Sequence, residues 1–506
     1  MQFVRLIRAL YKSKLLSFSS ILLLCSAVKQ HGVNVMALLQ FAAKKYGGKT
    51  ACIDDDRAMT YGELLEESMQ LAHHLKNVYE IKPKMKVGVY CRNHHQLVKA
   101  LFALSRLGVD LYLINTEMGK VQFEQLVKKH PFALFIYDRQ FNGAVNSLKA
   151  STQPFCIEDV ELSSSANLFL AKTSTSKIVL LTSGTTGVSK EVAHKPSLFN
   201  YLPPFIGMVD RLKLVDYKNG YIATPMYHGY GLAILFLLIA LGKTVIVSEK
   251  FEAKKACEII EKHEVEIVTV VPLMIHKMLQ ENVESLRSLR CIASGGAVLS
   301  AQLVREVKAN VGDVLFNLYG TSETGLNMIA TPDDLTYSAH TIGKGIKGVH
   351  IKIRNADEQT GIGQIYVKTK SGMVKGGEQW LSTGDLGYQD AQGYYFLVGR
   401  QDDLVISGGE NVYPLHVENI LLDHPAVEDA AVVGISDEQF GQRLQAFIQL
   451  TDGAMIEREV LLEWLKSKVA RYEMPKEISF LERIPYTALG KKDKKALNEV
   501  AKRIVQ

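Results

Sequence analysis

The chain has 506 residues, 47% apolar and 22% charged, a composition ordinary for a globular enzyme and long enough to bury large cores without disulfides. Its net charge of +6 favours anionic ligands or membrane surfaces only weakly and does not imply nucleic-acid binding. The six cysteines (Cys25, Cys52, Cys91, Cys156, Cys257 and Cys291) are scattered without a Cys-x-x-Cys pair, which argues against a disulfide frame or zinc site and for reduced thiols in the cytoplasm.

At the start, Arg5, Arg8, Lys12 and Lys14 precede an apolar run from Leu15 to Val28 that Ser17, Ser19, Ser20 and Ser26 interrupt. The layout mimics a signal peptide but lacks a convincing small-x-small cleavage site, and the run is too short for a transmembrane helix. We expect residues 1–35 to be an N-terminal extension, an amphipathic or buried helix able to touch a membrane peripherally. Thr60 with Glu63 three residues on reads as a helix start, and Leu64, Leu65, Met69, Leu71 and Leu75 continue it at helical spacing. A short strand over Lys86–Tyr90 precedes a helix through Val98, Leu101, Phe102 and Leu104. Further strands are predicted over 133–137, 178–181, 244–247, 267–271 and 291–293, with helical patterns between most of them. This alternation indicates an α/β fold with largely parallel sheets.

The strand over 178–181 runs into Thr182-Ser183-Gly184-Thr185-Thr186-Gly187-Val188-Ser189-Lys190. Glycines let backbone approach an anion, successive N–H groups and short hydroxyls supply donors, and a lysine adds a mobile charge. This reads as a phosphate-gripping loop, although the P-loop spacing is absent because no lysine follows Gly187 directly. Next comes Pro225-Met226-Tyr227-His228-Gly229-Tyr230-Gly231, followed by an apolar helix over 232–241. Segments 294–297 (Ser-Gly-Gly-Ala) and 317–325 (Asn317 to Gly325, with Tyr319, Gly320, Thr321, Ser322 and Glu323) are rich in glycine and hydroxyls. Residues 343–369 alternate like a small β-barrel or meander. Ser382-Thr383-Gly384-Asp385 reads as a tight turn with an acid, and Asp390–Gly393 as a turn between strands. A boundary falls near Gly399-Arg400-Gln401-Asp402-Asp403. Beyond it lie Ser407-Gly408-Gly409-Glu410, strands over 430–433 and 446–450, a helix over 457–468, and Pro485 to Lys491.

Taken singly, each of these segments has an ordinary explanation: Asp385 as a turn acid, Gly408-Gly409 as a hairpin turn, Lys491 as part of a solvated basic tract. Together and in this order, the segments at 182–190, 317–325, 382–385, 399–414 and 485–491 resemble the signature motifs of the adenylate-forming superfamily. That superfamily contains acyl-CoA synthetases, peptide-synthetase adenylation domains and luciferases, and the resemblance spans roughly residues 50–497. It implies a large N-terminal domain of α/β subdomains plus a small β-barrel over 36–401, and a small, mobile α+β lid domain over 402–506.

It also implies roles. Thr182, Ser183, Gly184, Thr185, Thr186, Gly187 and Lys190 hold the β- and γ-phosphates of ATP. Glu323 takes Mg2+, as a hard cation prefers carboxylate oxygen. Ser322 bonds the α-phosphate and Tyr319 stacks on adenine, with Asn317, Gly320 and Thr321 in the same nucleotide site. Gly295, Gly296 and Ala297 line the adenine and acyl pocket, Asp385 accepts from the ribose hydroxyls, and Arg400 assists. Lys491 stabilises charge at the reacting carboxylate and α-phosphate. His228 resembles a gate to an acyl tunnel and is grouped with Lys491 and Glu323 as catalytic. Asp402 is the hinge, and Ser407, Gly408, Gly409 and Glu410 line the CoA tunnel after the lid swings.

The implied reaction joins a carboxylic acid to CoA through acyl-AMP. The apolar stretch after His228 puts a medium- or long-chain fatty acid first. The alternatives are an aryl acid such as succinylbenzoate, loading of a carrier protein, or a weakly active nucleotide-binding homologue. That last reading arises because Ser189-Lys190-Glu191 stands where the family usually has Pro-Lys-Gly, and Glu191 is expected to place a carboxylate near the triphosphate.

Overall fold

The computed structural model describes residues 17–160, 170–173, 177–182, 190–194, 198–369, 379–487 and 490–505. A six-stranded sheet runs in the order Gln153–Cys156, Leu134–Tyr137, Lys86–Tyr90, Asp110–Leu113, Ile178–Thr182 and Lys190–His194. All neighbours are parallel except the last pair. Strands such as Leu134–Tyr137 are buried along their whole length, which is why they read as unbroken apolar runs. A second sheet of thirteen strands has a parallel half from Thr50–Ile53 through Thr244–Val247, Asn219–Ile222, Ile267–Val270 and Cys291–Gly295 to Leu315–Thr321. It continues without a break into antiparallel strands Gly325–Ala330, Thr341–Gly345, Tyr395–Arg400, Leu381–Gln389, Gly363–Thr369 and Val349–Arg354. The strip expected from the alternation over 343–369 is this antiparallel half.

Helix Tyr61–Val78 starts with the anticipated capping box between Thr60 and Glu63. Helix Gly229–Ala240 buries Leu232, Ile234, Leu235, Leu237 and Leu238 in the core shared by the two sheets. Helix Phe18–His31, capped by Ser17, packs on helix Val35–Tyr46 through Ala27, Ala37 and Phe41. The first part of the expected extension, residues 1–16, lies outside the described residues. Among the described residues, no helix is long and apolar enough to cross a membrane. All six cysteines are free thiols.

After a short 3-10 turn over Gln401–Asp403, the smaller C-terminal domain folds around the antiparallel pair Val427–Asp437 and Gly441–Leu450. Strand Glu477–Phe480 lies parallel to the second of these, and helices Pro414–Leu422 and Arg458–Lys466 close a core of Val417, Leu421, Val432, Ala446, Leu461 and Leu465. The helix predicted over 457–468 is Arg458–Lys466, with Glu457 at its N-cap. Contacts that tie this domain to the larger one among the described residues include the ion pair of Arg305 with Asp423 at 3.0 Å and the hydrogen bond between His276 Nε2 and Glu428 Oε1 at 3.3 Å.

Candidate active site

The site forms where parallel strands end. The carboxyl ends of Ile178–Thr182, Asn219–Ile222, Cys291–Gly295 and Leu315–Thr321 carry four of the segments singled out from sequence, the usual address for a ligand in an α/β sheet. Thr182 pairs in register with Lys190 across two antiparallel strands. The residues between them, Ser183, Gly184, Thr185, Thr186, Gly187, Val188 and Ser189, lie outside the described residues, as do the side chains of Thr182 and Lys190. Glu191 already has partners of its own. Its carboxylate meets Lys129 Nζ at 2.6 Å and His130 Nε2 at 3.2 Å, so the extra negative charge is already compensated by the neighbouring helix.

Strands Leu315–Thr321 and Gly325–Ala330 form a hairpin whose tip holds Ser322 and Glu323. The tip is stiff. Thr324 is fully buried, its N–H donates to Thr321 Oγ1 at 3.2 Å, and Asn327 Nδ2 donates to Thr324 Oγ1 at 2.7 Å. The Asn317 side-chain amide donates to the Thr341 carbonyl at 3.2 Å and braces the strip behind the hairpin. Gly295 ends its strand between the Leu318 carbonyl and the Tyr230 ring, where a Cβ would stand 3.3 and 3.6 Å away. Gly296 and Ala297 follow directly.

Ser382-Thr383-Gly384-Asp385 is not a free turn. It lies inside strand Leu381–Gln389, where Thr383, Gly384 and Asp385 together stand opposite Ile365 alone. The bulge turns the chain so that Thr383 Oγ1 donates to the Ile365 carbonyl at 3.0 Å and accepts from Asp385 N–H at 3.1 Å. It leaves the Asp385 carboxylate buried, with Arg400 Nη1 on one oxygen at 3.0 Å and the Tyr319 hydroxyl on the other at 2.5 Å. Gly384 has φ +75°, and a Cβ there would stand 3.0 Å from Arg400 Nη2, so both the backbone conformation and the guanidinium require glycine. Burial and the neighbouring Asp385 charge push the Tyr319 phenol far up.

From the small domain, Lys491 reaches this cluster. Its turn is closed by Thr487 N–H to the Lys491 carbonyl at 2.8 Å and by Lys491 N–H to Thr487 Oγ1 at 3.3 Å. The basic tract around it divides by partner. Lys492 is paired with Glu418 at 3.0 Å and Asp429 at 3.5 Å, and Lys494 with Asp403 at 2.7 Å, all within the small domain. Lys491, solvent-accessible in the cleft, instead lies in the field of three groups of the large domain. Desolvation and the Arg400 charge lower its pKa, opposed by Asp385 and Glu323. His228, the N-cap residue of helix Gly229–Ala240, is held down at about 4 by burial and then by Lys491, so its imidazole is neutral. Its Nε2 has no hydrogen-bond partner among the described residues.

The structure therefore brings Tyr319, Glu323, Asp385, Arg400, His228 and Lys491 together. It does not bring in the CoA-tunnel candidates. Ser407, Gly408, Gly409 and Glu410 form a tight hairpin in which Gly408 N–H donates to the Phe440 carbonyl and Ser407 pairs with Gly441, both within their own domain. Asp402 sits exposed in the interdomain turn, 3.8 Å from Arg400. Asn93 was missed from the sequence. Its side chain accepts from Met226 N–H at 2.8 Å and donates to the Thr224 carbonyl at 3.0 Å, fastening the segment that presents His228. The polar run Arg92-Asn93-His94 after an apolar strand is the signal that could have found it. A trio of potential metal ligands, Asp54, Asp56 and His95, is instead a structural knot: Asp54 Oδ2 accepts from His95 N–H at 2.7 Å and meets His95 Nδ1 at 2.6 Å.

A family model described as AMP-binding enzyme matches residues 39–376, and one described as AMP-binding enzyme C-terminal domain matches 416–491. The chain is similar to 2-succinylbenzoate–CoA ligase of Bacillus pumilus, 30% identical over 463 residues that cover 88% of this chain and 93% of that protein. It is also similar to the protein of the same name from Bacillus subtilis, 27% identical with 90% and 96% covered. Among solved structures, o-succinylbenzoate CoA synthetase from Bacillus subtilis, in complex with ATP and magnesium ion, matches with a TM-score of 0.80 at 27% identity, covering 91% of this chain and 99% of that one.

Proposed function

The chain belongs to the AMP-binding enzyme family, and from that premise we propose that it is an ATP-dependent acid–CoA ligase acting on an aryl acid of the 2-succinylbenzoate type. The observation that carries the ligase reading is Lys491, extended from one domain into a cluster of Glu323, Asp385, Arg400 and His228 on the other. The aryl acid is favoured over the fatty acid by the relatives' names. The fatty-acid reading rested on the apolar stretch after His228, and burial of helix Gly229–Ala240 in the core accounts for that stretch without an acyl tunnel.

In this reading the acid's carboxylate oxygen attacks the α-phosphorus of ATP, forming acyl-AMP and releasing pyrophosphate. Lys491 holds the developing negative charge between carboxylate and α-phosphate, a preorganised stabilisation of the kind that dominates such reactions. Asp385 receives the ribose hydroxyls while Arg400 fixes its orientation, Tyr319 lies against adenine, and Ser322 bonds the α-phosphate. The segment 182–190 takes the leaving pyrophosphate. Glu323, a half-buried carboxylate on a rigid hairpin tip, suits Mg2+, which neutralises phosphate charge when bound. Neutral His228 can accept from or donate to the acid without adding charge. In the second step the CoA sulfur attacks the acyl carbonyl, and AMP leaves. For that step the small domain, residues 402–506, turns about Asp402 to bring Ser407–Glu410 to the site. Residues 36–401 form the body and 1–35 the extension.

Pyrophosphate release over a panel of aryl and fatty acids, with and without CoA, tests this. Release dependent on a succinylbenzoate-type acid, with AMP and an aryl thioester formed when CoA is added, is expected. Preference for a fatty acid would refute the substrate, and release without CoA transfer would refute the acceptor.

A further inference from the structure

We infer that the N-terminal helical pair is a docking surface for an anionic lipid bilayer. Helix Phe18–His31 buries Ser20, Ala27 and His31 against the next helix. Its opposite face is apolar, where a water-facing helix would be polar: Phe18 is 77% exposed, Ile21 48% and Leu22 53%, with Cys25 exposed beside them. The spacing i, i+3, i+4, i+7 makes one continuous stripe along the outside.

Charge identifies the occupant. Residues 1–53 contain eight lysines and arginines and no aspartate or glutamate, whereas the remaining chain holds 51 basic against 53 acidic residues. The whole positive excess of the protein is thus confined to its first tenth. Part of it borders the stripe: Lys29 lies in the last turn of the same helix, and Lys44 Nζ is 3.4 Å from Ser26 Oγ. Arg5, Arg8, Lys12 and Lys14 precede it in sequence. A second copy meeting this face would set cations against cations. An anionic membrane satisfies both halves, taking the apolar side chains into the headgroup boundary and the lysines onto its negative surface. None of its residues belongs to the cluster around Lys491, so the inference does not rest on the ligase reading.

The test is co-flotation of the full chain with phosphatidylcholine vesicles with and without phosphatidylserine, at low and high salt. Binding is expected only with phosphatidylserine and weakened by salt. Phe18→Ser/Ile21→Ser/Leu22→Ser and, separately, Lys29→Glu/Lys44→Glu should each lower vesicle affinity at least about tenfold. Both variants should keep the parent's circular-dichroism spectrum and thermal midpoint, showing that they fold. Failure to float with phosphatidylserine vesicles, equal binding to neutral ones, or parental binding by either variant would overturn the inference. So would a dimer on gel filtration that the triple variant dissolves, which would assign the stripe to a second copy.

Discussion

Replacing Gly384 by alanine perturbs the ribose end of the site without removing any functional group. The residue holds φ +75°, a conformation that costs an L-residue about 1–2 kcal/mol. The new methyl would stand 3.0 Å from Arg400 Nη2 and 3.3 Å from Cζ, so the guanidinium must move. Its Nη1 bonds to the Thr383 carbonyl at 3.1 Å and to Asp385 Oδ1 at 3.0 Å then lengthen. Because Arg400 is half exposed, losing that ion pair adds only about 0.5–1 kcal/mol. The expected destabilisation is about 1.5–3 kcal/mol in urea unfolding. Ligand binding should suffer in addition: a misoriented Asp385 forfeits a charge-assisted bond of about 1.5–3 kcal/mol, or about a 10- to 150-fold rise in Kd for AMP by calorimetry. The route is checked by a double-mutant cycle with Arg400→Ala, in which the two affinity losses must be strongly sub-additive. Full additivity, or AMP affinity within about threefold of the parent, would refute the argument.

Lys491→Ala should abolish acid-dependent pyrophosphate exchange while leaving thioester formation from supplied acyl-AMP largely intact; equal loss of both contradicts its assigned role. Because desolvation in the cleft and the Arg400 charge lower the Lys491 pKa, its charge is present below that lowered value and lost as pH rises through it. Pyrophosphate exchange should therefore fall on an alkaline limb below 10.5, the ordinary lysine value, and Lys491→Arg should shift that limb upward even at reduced rate. Gly490→Ala places a Cβ 2.7 Å from Val271 Cγ2 of the other domain at a φ of +68°, so exchange should slow several-fold and Val271→Ala should restore it in part, the backbone strain remaining; absence of any rescue argues against that contact limiting closure. Glu191→Gln should change ATP affinity by less than about threefold, since Lys129 already holds that carboxylate and an exposed pair contributes under about 1 kcal/mol.

The parallel strands were legible because burial on both faces leaves unbroken apolar runs, as in Leu134–Tyr137 and Ile267–Val270. Some of the strands that build the site were not. Leu315–Thr321 and Leu381–Gln389 carry Gly, Ser, Thr and Asp at their functional ends, a composition that reads as turn, and the second tolerates it only through a bulge. Asp385 and Lys491 were recognised by resemblance, since nothing local separates Lys491 from Lys492. What separates them is Glu418 and Asp429, distant in sequence, which engage one lysine and leave its neighbour to the other domain. Asn93 went unnoticed because its partners, Thr224 and Met226, lie on a segment far along the chain.

That pairing of Lys492 has a consequence for timing. The anchored residue sits next to Lys491, so in the hinge motion proposed above the tip would not linger in the cleft on a slack tether. Lys491 would arrive and leave with the domain that carries it. Its charge would then act as a logical AND: supplied only when the domains are docked, and withdrawn from the same space in one motion. Loosening the anchor, by Glu418→Gln for example, would decouple the lysine from the domain that carries it and blur the boundary between the two half-reactions.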